Sequence, residues 1–317
     1  MFTKLDYVYA VYKEKSFTKA AEKLFIAQPS LSAAIKNVEK EVGAPIFERS
    51  SAGLRLTEVG KEYIIAAEKM ISVKEEFENK LNDIFGLETG HLTVGGTNYL
   101  SSYVLPKIIN TFSCVFPKIE VELAEAKSLS LSEMLKREEI DIVIDSFDEL
   151  LQEYQGYPLC KERILLCVPS DRAINKELKD YAIQAEDIFN DNLSLADIPP
   201  VSIEKFKEED FVLLKNGNDM YNRAMRIFEK ADMQPNVRFS VDQLNISYAL
   251  AESGMGSCFV TDTLFRFGKF GNNTVLYNVK EAPTGRTLYI AHKKNKYCTK
   301  AMEQFIKIAK EITEARF

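Results

Sequence analysis

The sequence predicts an α/β protein in which a small helical domain precedes a long helix and two lobes of alternating strands and helices. Within residues 1–57, apolar residues recur at the i, i+3, i+4 and i+7 spacing of a helix that buries one face. Residues 61–85 contain neither proline nor glycine, as a long helix requires. After Gly90, short apolar runs of strand length alternate with helical segments. With 317 residues, of which 46% are hydrophobic, the chain is large enough to give each part its own core.

Charge is unevenly distributed along the chain, although the formal net charge is -6. Residues 1–57 carry nine Lys and Arg against six Asp and Glu, which gives a net charge of +3. Residues 58–317 carry 32 Lys and Arg against 41 Asp and Glu, which gives -9. Any surface that binds phosphate is therefore expected at the amino-terminal end.

The amino-terminal segment predicts two short helices joined by a tight turn. Ser16 is a candidate N-cap for the first helix, which begins at Phe17. A break at 25–27 precedes Gln28 and Pro29, and proline suits the first turn of a second helix because its missing N–H has no helical partner there. Short polar side chains on that helix can reach base edges in a major groove, as in a helix-turn-helix. An ordinary helical hairpin with a solvated face is the alternative.

Residues 45–57 predict a wing, which consists of two short extended stretches around a Ser-Ser-Ala-Gly turn. Arg49 and Arg55 lie on these stretches, where they can contact the DNA backbone or a minor groove. A helical hairpin has no need of this basic wing, so we predict a winged helix-turn-helix that binds double-stranded DNA. The candidate DNA-binding residues are Gln28, Pro29, Ser30, Ser32, Ala33, Lys36, Arg49 and Arg55.

Several motifs in this segment resemble, in order and spacing, the signature of the LysR-type transcriptional regulators. They are SFTKAAEKL at 16–24, AQPSLS at 27–32, IFER at 46–49 and LTEVG at 56–60. Ala27 stands where the family often has a capping serine, and Ala33-Ala34 replaces a frequent Arg-Gln pair, so base preference is expected to differ from that of typical members. The resemblance implies a homodimer or homotetramer whose binding to an operator with an inverted repeat is controlled by a small-molecule effector.

Residues 59–88 are predicted to form a linker helix that makes the dimer. Tyr63, Met70, Phe77 and Ile84 recur every seven residues, and this heptad-like seam favours a partner helix. Lys74 interrupts the apolar stripe, so packing of the helix against its own domain is the alternative. The resemblance implies that this helix also joins two dimers into a tetramer.

The predicted DNA-binding domain covers residues 1–58. After the linker helix, residues 89–317 are predicted to form an effector-binding domain. Strands and helices alternate from His91 to Asp145, and a similar series returns from Phe211 to Val260. This alternation predicts two lobes with mainly parallel sheets, which bind ligands beyond the carboxyl ends of their strands.

The resemblance gives this domain the type 2 periplasmic-binding-protein-like fold. Chain crossings between the lobes are expected near Cys167-Val168-Pro169 and at Thr261. Lobe I is then expected at about 89–166 and 263–317, and lobe II at about 167–262.

The candidate effector-binding residues lie at predicted strand exits, helix starts and the second crossing. Free N–H groups at helix starts favour a carboxylate or another anion, although a helix cap or turn explains each residue equally well on its own. Thr97 and Ser128 rank highest, because family members commonly hold their effectors at these places. The candidates are Thr97, Asn98, Tyr99, Lys127, Ser128, Asn216, Gly217 and Thr261.

Catalytic and metal-binding motifs are not found in the sequence. The two histidines, His91 and His292, have no motif partner, and neither a P-loop nor a G-x-G-x-x-G segment occurs. We therefore expect no enzyme, no cofactor and no metal. The rival class is a ligand-binding or enzymatic two-lobed domain with a helical extension unrelated to DNA, but such an extension does not need a basic wing.

The remaining expectations concern the cysteines and the cellular location. Five cysteines form no C-x-x-C pair, and Cys160 with Cys167 is the candidate redox pair. The amino terminus has no apolar segment of signal-peptide type, and no run approaches eighteen apolar residues, so a cytoplasmic protein is expected.

Overall fold

The computed structural model describes residues 4–50, 53–85, 89–146, 153–191, 197–268, 270–282 and 285–316. Within these ranges, the structure describes the backbone but not the side chain of Arg49, Ser50, Glu75, Asn79, Asn82 and Phe85. The chain forms two compact units, Met1–Leu81 and Asn82–Phe317.

The first unit is a winged helix-turn-helix, as predicted. Ser16 caps the second helix, since its side chain accepts a hydrogen bond from Lys19 N at 3.3 Å. Pro29 lies in the first turn of the third helix, and Gly43, with a φ of 85°, ends it. The elements are α1 (Leu5–Glu14), α2 (Phe17–Lys23), α3 (Gln28–Val42), β1 (Phe47–Ser50), β2 (Gly53–Leu56) and α4 (Glu58–Phe85).

One hydrophobic core holds this unit together. Val8 and Val11 of α1, Ala20 of α2 and Leu31 of α3 are all fully buried in it. Tyr63 and Ala67 of α4 belong to the same core. The first positions of the predicted dimer seam therefore pack against the chain's own domain, whereas its later positions, Met70, Phe77 and Ile84, are exposed.

The wing is a two-stranded antiparallel hairpin in which Phe47 pairs with Leu56 and Glu48 with Arg55. Ser51 and Ala52 of the predicted turn lie outside the described residues. The hairpin is tied to the start of α4, because Thr57 N donates to Ile46 O at 3.0 Å and Thr57 Oγ1 donates to Pro45 O at 2.6 Å.

The second unit contains two five-stranded sheets, one in each lobe. The lobe I sheet has the order β4-β3-β5-β12-β6, and the lobe II sheet has the order β11-β7-β10-β8-β9. The strands are β3 (Gly90–Gly96), β4 (Ile119–Glu125), β5 (Ile142–Asp145), β6 (Tyr154–Glu162), β7 (Ile164–Pro169), β8 (Asp210–Leu214), β9 (Asn236–Val241), β10 (Ser257–Thr261), β11 (Thr274–Asn278) and β12 (Arg286–Lys293).

Helices cover both sheets and bury their apolar faces against them. The helices are α5 (Leu105–Val115), α6 (Ser128–Lys136), α7 (Ile174–Glu177), α8 (Ala185–Phe189), α9 (Asp219–Lys230), α10 (Leu244–Glu252), α11 (Asp262–Phe267) and α12 (Lys300–Glu314). Three further short helical turns cover 100–104, 179–181 and 203–206. Pairing among β3, β4 and β5 and among β8, β9 and β10 is parallel, in agreement with the predicted alternation.

The predicted crossings between the lobes are wrong. Strand β6 belongs to lobe I and β7 to lobe II, so the chain first crosses at Arg163, before Cys167-Val168-Pro169. It does not return at Thr261, because β11 pairs antiparallel with β7 and thereby stays in lobe II. The return falls between β11 and β12, and the predicted lobe boundaries at 166 and 263 shift accordingly. Strand β11 was missed because it is a short apolar run after the second alternating series.

Candidate functional site

The first candidate site is the exposed face of α3. Five of its predicted contacts, Gln28, Pro29, Ser30, Ala33 and Lys36, are exposed, and Ser32 is half-buried. Gln28 Nε2 donates to Ser32 Oγ at 2.9 Å, so these two polar side chains hold one another at the start of the helix. Ala27 at the N-cap gives no side-chain hydrogen bond. Pro29 has no N–H, and Ser30 N and Leu31 N both donate to Ala27 O, so Gln28 carries the one amide of the first turn that these bonds leave available to an oxygen such as that of a phosphate.

The wing adds one described basic side chain to this surface. Arg55 is exposed on β2 and lies directly across from Glu48 on β1. Arg49 lies on β1 with its backbone in the hairpin, but its side chain is outside the described residues. The structure therefore places an exposed helix start and a basic hairpin in the same small unit.

The second candidate site is a cleft of about 300 Å³ between the two lobes of the second unit. The ends of β3, β5 and β8 and the starts of α6 and α9 meet there, as expected for parallel sheets. The predicted residues that line it are Thr97, Asn98, Tyr99, Lys127, Ser128 and Gly217.

Two predicted effector contacts lie outside the cleft lining. Asn216 is exposed in the turn that precedes Gly217, whose φ is 90°. Thr261 is fully buried and pairs with Ile164 in the lobe II sheet, because the chain does not cross between lobes at that residue. Asn218 lines the cleft but serves as a helix cap, since its Oδ1 accepts from Met220 N at 2.9 Å.

An ion-pair network that the sequence analysis did not predict joins the two lobes across the cleft. The buried Arg286 guanidinium donates through Nε to Glu162, which is fully buried, and through Nη1 to Asp219. It also donates to Ser146 Oγ and Tyr99 Oη, each at 3.1 Å. Arg286 and Glu162 belong to lobe I and Asp219 begins α9 of lobe II, so this guanidinium holds the lobes together.

The pKa values in the network follow from burial and from these charges. Burial is the main cause that raises the pKa of Tyr99, and the Glu162 carboxylate adds to this effect. Tyr99 is therefore protonated, and its hydroxyl donates a hydrogen bond to Glu162 Oε1 at 3.1 Å. Burial acts to raise the pKa of Asp219, but Arg286 and Arg223 outweigh it and lower that pKa. A lowered carboxyl pKa means that the pair across the lobes stabilises at neutral pH, and that this stabilisation is lost as the pH falls through the lowered value.

Asp145 forms the floor of the cleft at the end of β5, where it is only 5% exposed. Its Oδ1 accepts a hydrogen bond from Ser146 N at 2.7 Å, whereas its Oδ2 is buried with no hydrogen-bond partner. Burial raises the pKa of this carboxyl, although the Ser128 hydroxyl and the Arg286 charge act in the opposite direction. Thr97 Oγ1 and Asn98 Oδ1 are two further buried atoms of the lining without a partner.

The rim of the cleft carries a second contact between the lobes. Lys127 of lobe I lies 3.8 Å from the Asp242 carboxylate of lobe II, which also accepts from Lys215 Nζ at 2.7 Å. The hydrogen bond from Lys215 lowers the pKa of Asp242. These side chains are exposed, so the contact is screened by solvent and salt.

The cysteine pair proposed from the sequence does not meet. Cys160 lies in β6 of lobe I and Cys167 in β7 of lobe II, where Cys167 faces Cys258 across the sheet. All three thiols are buried, and burial raises the pKa of Cys160 and of Cys167. Reactive cysteines have an accessible thiolate, and these do not fit that description.

Metal-binding clusters and membrane-spanning helices are both absent from the part of the chain that the structure describes. Among the described residues, no cluster of three or more His, Cys, Asp or Glu side chains could hold a metal ion. The helices of that part of the chain also include none that is long and apolar enough to cross a membrane.

The comparisons with known proteins agree with this architecture. Residues 2–61 match the family described as bacterial regulatory helix-turn-helix protein, lysR family, and residues 85–313 match the LysR substrate binding domain. The HTH-type transcriptional regulator YcgK of Bacillus subtilis is 27% identical over 314 residues, which cover 99% of this chain and 95% of that protein. A "Probable RuBisCO transcriptional regulator" of Gracilaria tenuistipitata is 26% identical, over 94% of this chain and 92% of that protein.

Solved structures show the same fold. Full-length OxyR from Pseudomonas aeruginosa has a TM-score of 0.69 at 20% identity, over 99% of this chain and 94% of that one. Full-length CbnR complexed with its target DNA has a TM-score of 0.63 at 15% identity, over 98% and 99%. The two family matches together cover most of the sequence, and the chain belongs to the LysR family of DNA-binding transcriptional regulators, whose second domain binds an effector, and not to a class of enzymes.

Proposed function

We propose that the exposed start of α3 reads operator bases while the wing grips the DNA backbone. The observation that carries this is the helix start itself, where the exposed Gln28 side chain donates to Ser32 at 2.9 Å and Ala27 gives no side-chain cap to the first turn. Polar side chains at the start of a recognition helix contact base edges, and helix amides and arginine contact phosphates. By this proposal the protein acts on chromosomal DNA in the cytoplasm.

Replacing Arg55 with alanine is expected to weaken binding about equally on operator and random duplex. Each arginine removed from a phosphate releases about one counterion fewer, so the slope of log affinity against log salt should decrease by about one per wing. Fluorescence anisotropy over a salt series measures this slope. Lys118→Ala is the control, because it removes the same charge from an exposed position of the second unit. An unchanged slope for Arg55→Ala would exclude the wing from DNA binding.

A homodimer, and from it a homotetramer, is the assembly we propose. Beyond the turns that pack on its own domain, α4 exposes Met70 at 44%, Val73 at 68%, Phe77 at 62% and Ile84 at 74%. Large apolar side chains at heptad spacing on one helix are stabilised by a partner helix. Two copies related by a twofold axis present two recognition helices, which match the half-sites of an inverted repeat.

The cleft between the lobes is the effector site in this proposal. It has the size of a small-molecule pocket, and three of its buried polar atoms have no partner in the described structure, namely Thr97 Oγ1, Asn98 Oδ1 and Asp145 Oδ2. Buried polar atoms are nearly always hydrogen-bonded, so a ligand that forms hydrogen bonds with these three atoms would stabilise the cleft. A ligand that prefers one arrangement of the lobes shifts the equilibrium between the DNA-binding states.

The effector proposal is tested by replacing Thr97 with valine, which keeps the side-chain shape but removes the hydroxyl. Wild-type full-length protein is first screened by thermal melting against a panel of carboxylic acids, amino acids, sugar phosphates and nucleosides. Any compound that raises the melting temperature should bind Thr97→Val at least about tenfold more weakly, as expected when a buried hydrogen bond is lost. Operator affinity without the compound should be unchanged. Equal affinity in both proteins would place the site outside the cleft.

A further inference from the structure

The floor of the cleft contains two buried acceptor atoms, Asp145 Oδ2 and Asn98 Oδ1, to which no donor of the described structure makes a well-formed hydrogen bond, although the Ser128 hydroxyl lies near the Asp145 carboxyl. Both residues line the cleft, and both of these oxygen atoms are buried. An amide oxygen accepts only, and a carboxylate oxygen accepts when ionised. A buried carboxylate without a counterion is costly, so a ligand with positively charged N–H donors stabilises this floor.

The cations already present do not neutralise Asp145. Four of the five N–H donors of Arg286 bind Glu162, Asp219, Ser146 and Tyr99. Lys127 is 77% exposed at the rim and lies 3.8 Å from the Asp242 carboxylate. The effect of Arg286 on the Asp145 carboxyl is smaller than the effect of burial, which raises its pKa. Arg286 thus shares one positive charge among Glu162, Asp219 and Asp145, and a positively charged group of a ligand at Asp145 would stabilise the ionised carboxylate.

An anion site lies beside this acceptor pair. Helix α6 begins at Ser128, and Lys127 at its N-cap makes no side-chain hydrogen bond to the first turn. Ser128, Leu129 and Ser130 are exposed and line the cleft, so the first amides of α6 face the ligand space. The Ser128 hydroxyl is close enough to the Asp145 carboxyl to lower its pKa, which places the helix start next to the buried carboxylate.

We propose that the effector is a small zwitterion of the amino-acid type, with its ammonium group on Asp145 and Asn98 and its carboxylate at the first turn of α6. This rests on the proposed function of the cleft as the effector site. The two binding groups are adjacent, as are the amino and carboxyl groups of an α-amino acid. A cleft of about 300 Å³ holds such a molecule with its side chain directed toward lobe II.

The test uses full-length protein and matched sets of probes. The twenty common amino acids and ornithine are compared with their deaminated acids and their decarboxylated amines by thermal melting, followed by calorimetric titration. At least one amino acid should raise the melting temperature. Its deaminated and decarboxylated counterparts should bind at least about thirtyfold more weakly, since each lacks one charged contact. No stabilisation by any amino acid, or stabilisation by the deaminated acid equal to that by the amino acid, overturns the proposal.

Variants locate the ammonium contact. Asp145→Asn keeps the shape of the side chain but removes its charge, and should weaken amino-acid binding by about thirtyfold or more. Asn98→Leu is the second variant and should also weaken binding, so the conclusion does not depend on the folding of one protein. Glu120→Gln, which removes a charge from an exposed position of β4 outside the lining, should leave the affinity unchanged.

The outcomes separate this proposal from the proposed function. If deaminated acids bind as well as amino acids and lose affinity in Thr97→Val, the cleft is the effector site but the ammonium contact is wrong. If an amino acid binds equally well to Asp145→Asn, Asn98→Leu and Thr97→Val, the ligand lies elsewhere and both proposals are overturned.

Discussion

Replacing Arg286 with methionine is expected to lower the free energy of unfolding of the second unit by about 3–5 kcal/mol at neutral pH. The substitution keeps much of the side-chain volume but leaves the Glu162 carboxylate, which is 0% exposed, without its cation. It also removes donors from Ser146, Tyr99 and the Asp219 carboxylate across the cleft. Denaturant unfolding, followed by circular dichroism, measures the loss.

Two controls show whether the buried charge is the cause. The double variant Glu162→Gln/Arg286→Met removes both charges and should recover most of the lost stability, because no uncompensated ion stays buried. Arg238→Met breaks an exposed pair with Asp210, at 3.7 Å, and should cost less than about 1 kcal/mol. If Arg286→Met alone is as stable as wild type, the network does not stabilise the second unit in the way its geometry implies.

The positions that local pattern predicted are those where local rules decide the structure. Ser16 caps α2 and Pro29 starts α3 because unpaired amides at a helix start need an acceptor or a residue without an N–H. Thr97 and Ser128 line the cleft because parallel strands end, and the following helices begin, at one edge of a sheet. Each of these signals is contained in a few consecutive residues.

The residues that sequence reasoning missed depend on contacts between distant segments. Arg286 and Glu162 are 124 positions apart, and the chain crosses between the lobes twice from one to the other. Asp219 lies 67 positions before Arg286, in the other lobe. Asp145 ends a predicted strand, so the rule on strand ends could have found it, but its burial is a property of the folded lobe. The return crossing was misplaced for a similar reason, since the pairing of β11 with β7 is set by packing and not by its own five residues.

The apolar positions of α4 have different surroundings in the two parts of the helix. Tyr63 is 5% exposed and Ala67 is fully buried in the core of the first unit, as the alternative to a dimer seam required. Phe77 and Ile84 continue the same spacing but are 62% and 74% exposed. A period of seven residues records that one face of a helix is apolar, and it does not record which partner covers each turn.

Replacing Gly60 with alanine is expected to destabilise the first unit by about 3 kcal/mol. At the melting temperature of the wild-type unit, where this loss leaves about a hundredfold less folded protein, operator binding should weaken by about the same factor. A Cβ at Gly60 would lie 2.1 Å from the Ile46 carbonyl oxygen and 3.2 Å from Leu56 Cδ2. The Ile46 oxygen cannot move freely, because it accepts the hydrogen bond from Thr57 N at 3.0 Å. The wing and the start of α4 can therefore pack this closely only because residue 60 has no Cβ.

Gly43→Ala is the matched control for this substitution. Gly43 has a φ of 85°, so alanine there is strained, but a Cβ would meet nothing within 4 Å. Its cost should be about 1 kcal/mol, from the left-handed backbone alone. Thermal melting of the two variants, paired with operator titration, compares a steric clash with a purely conformational cost. Gly60→Ala that melts and binds DNA like Gly43→Ala would mean that the wing does not pack against the start of α4 as closely as the 2.1 Å approach requires.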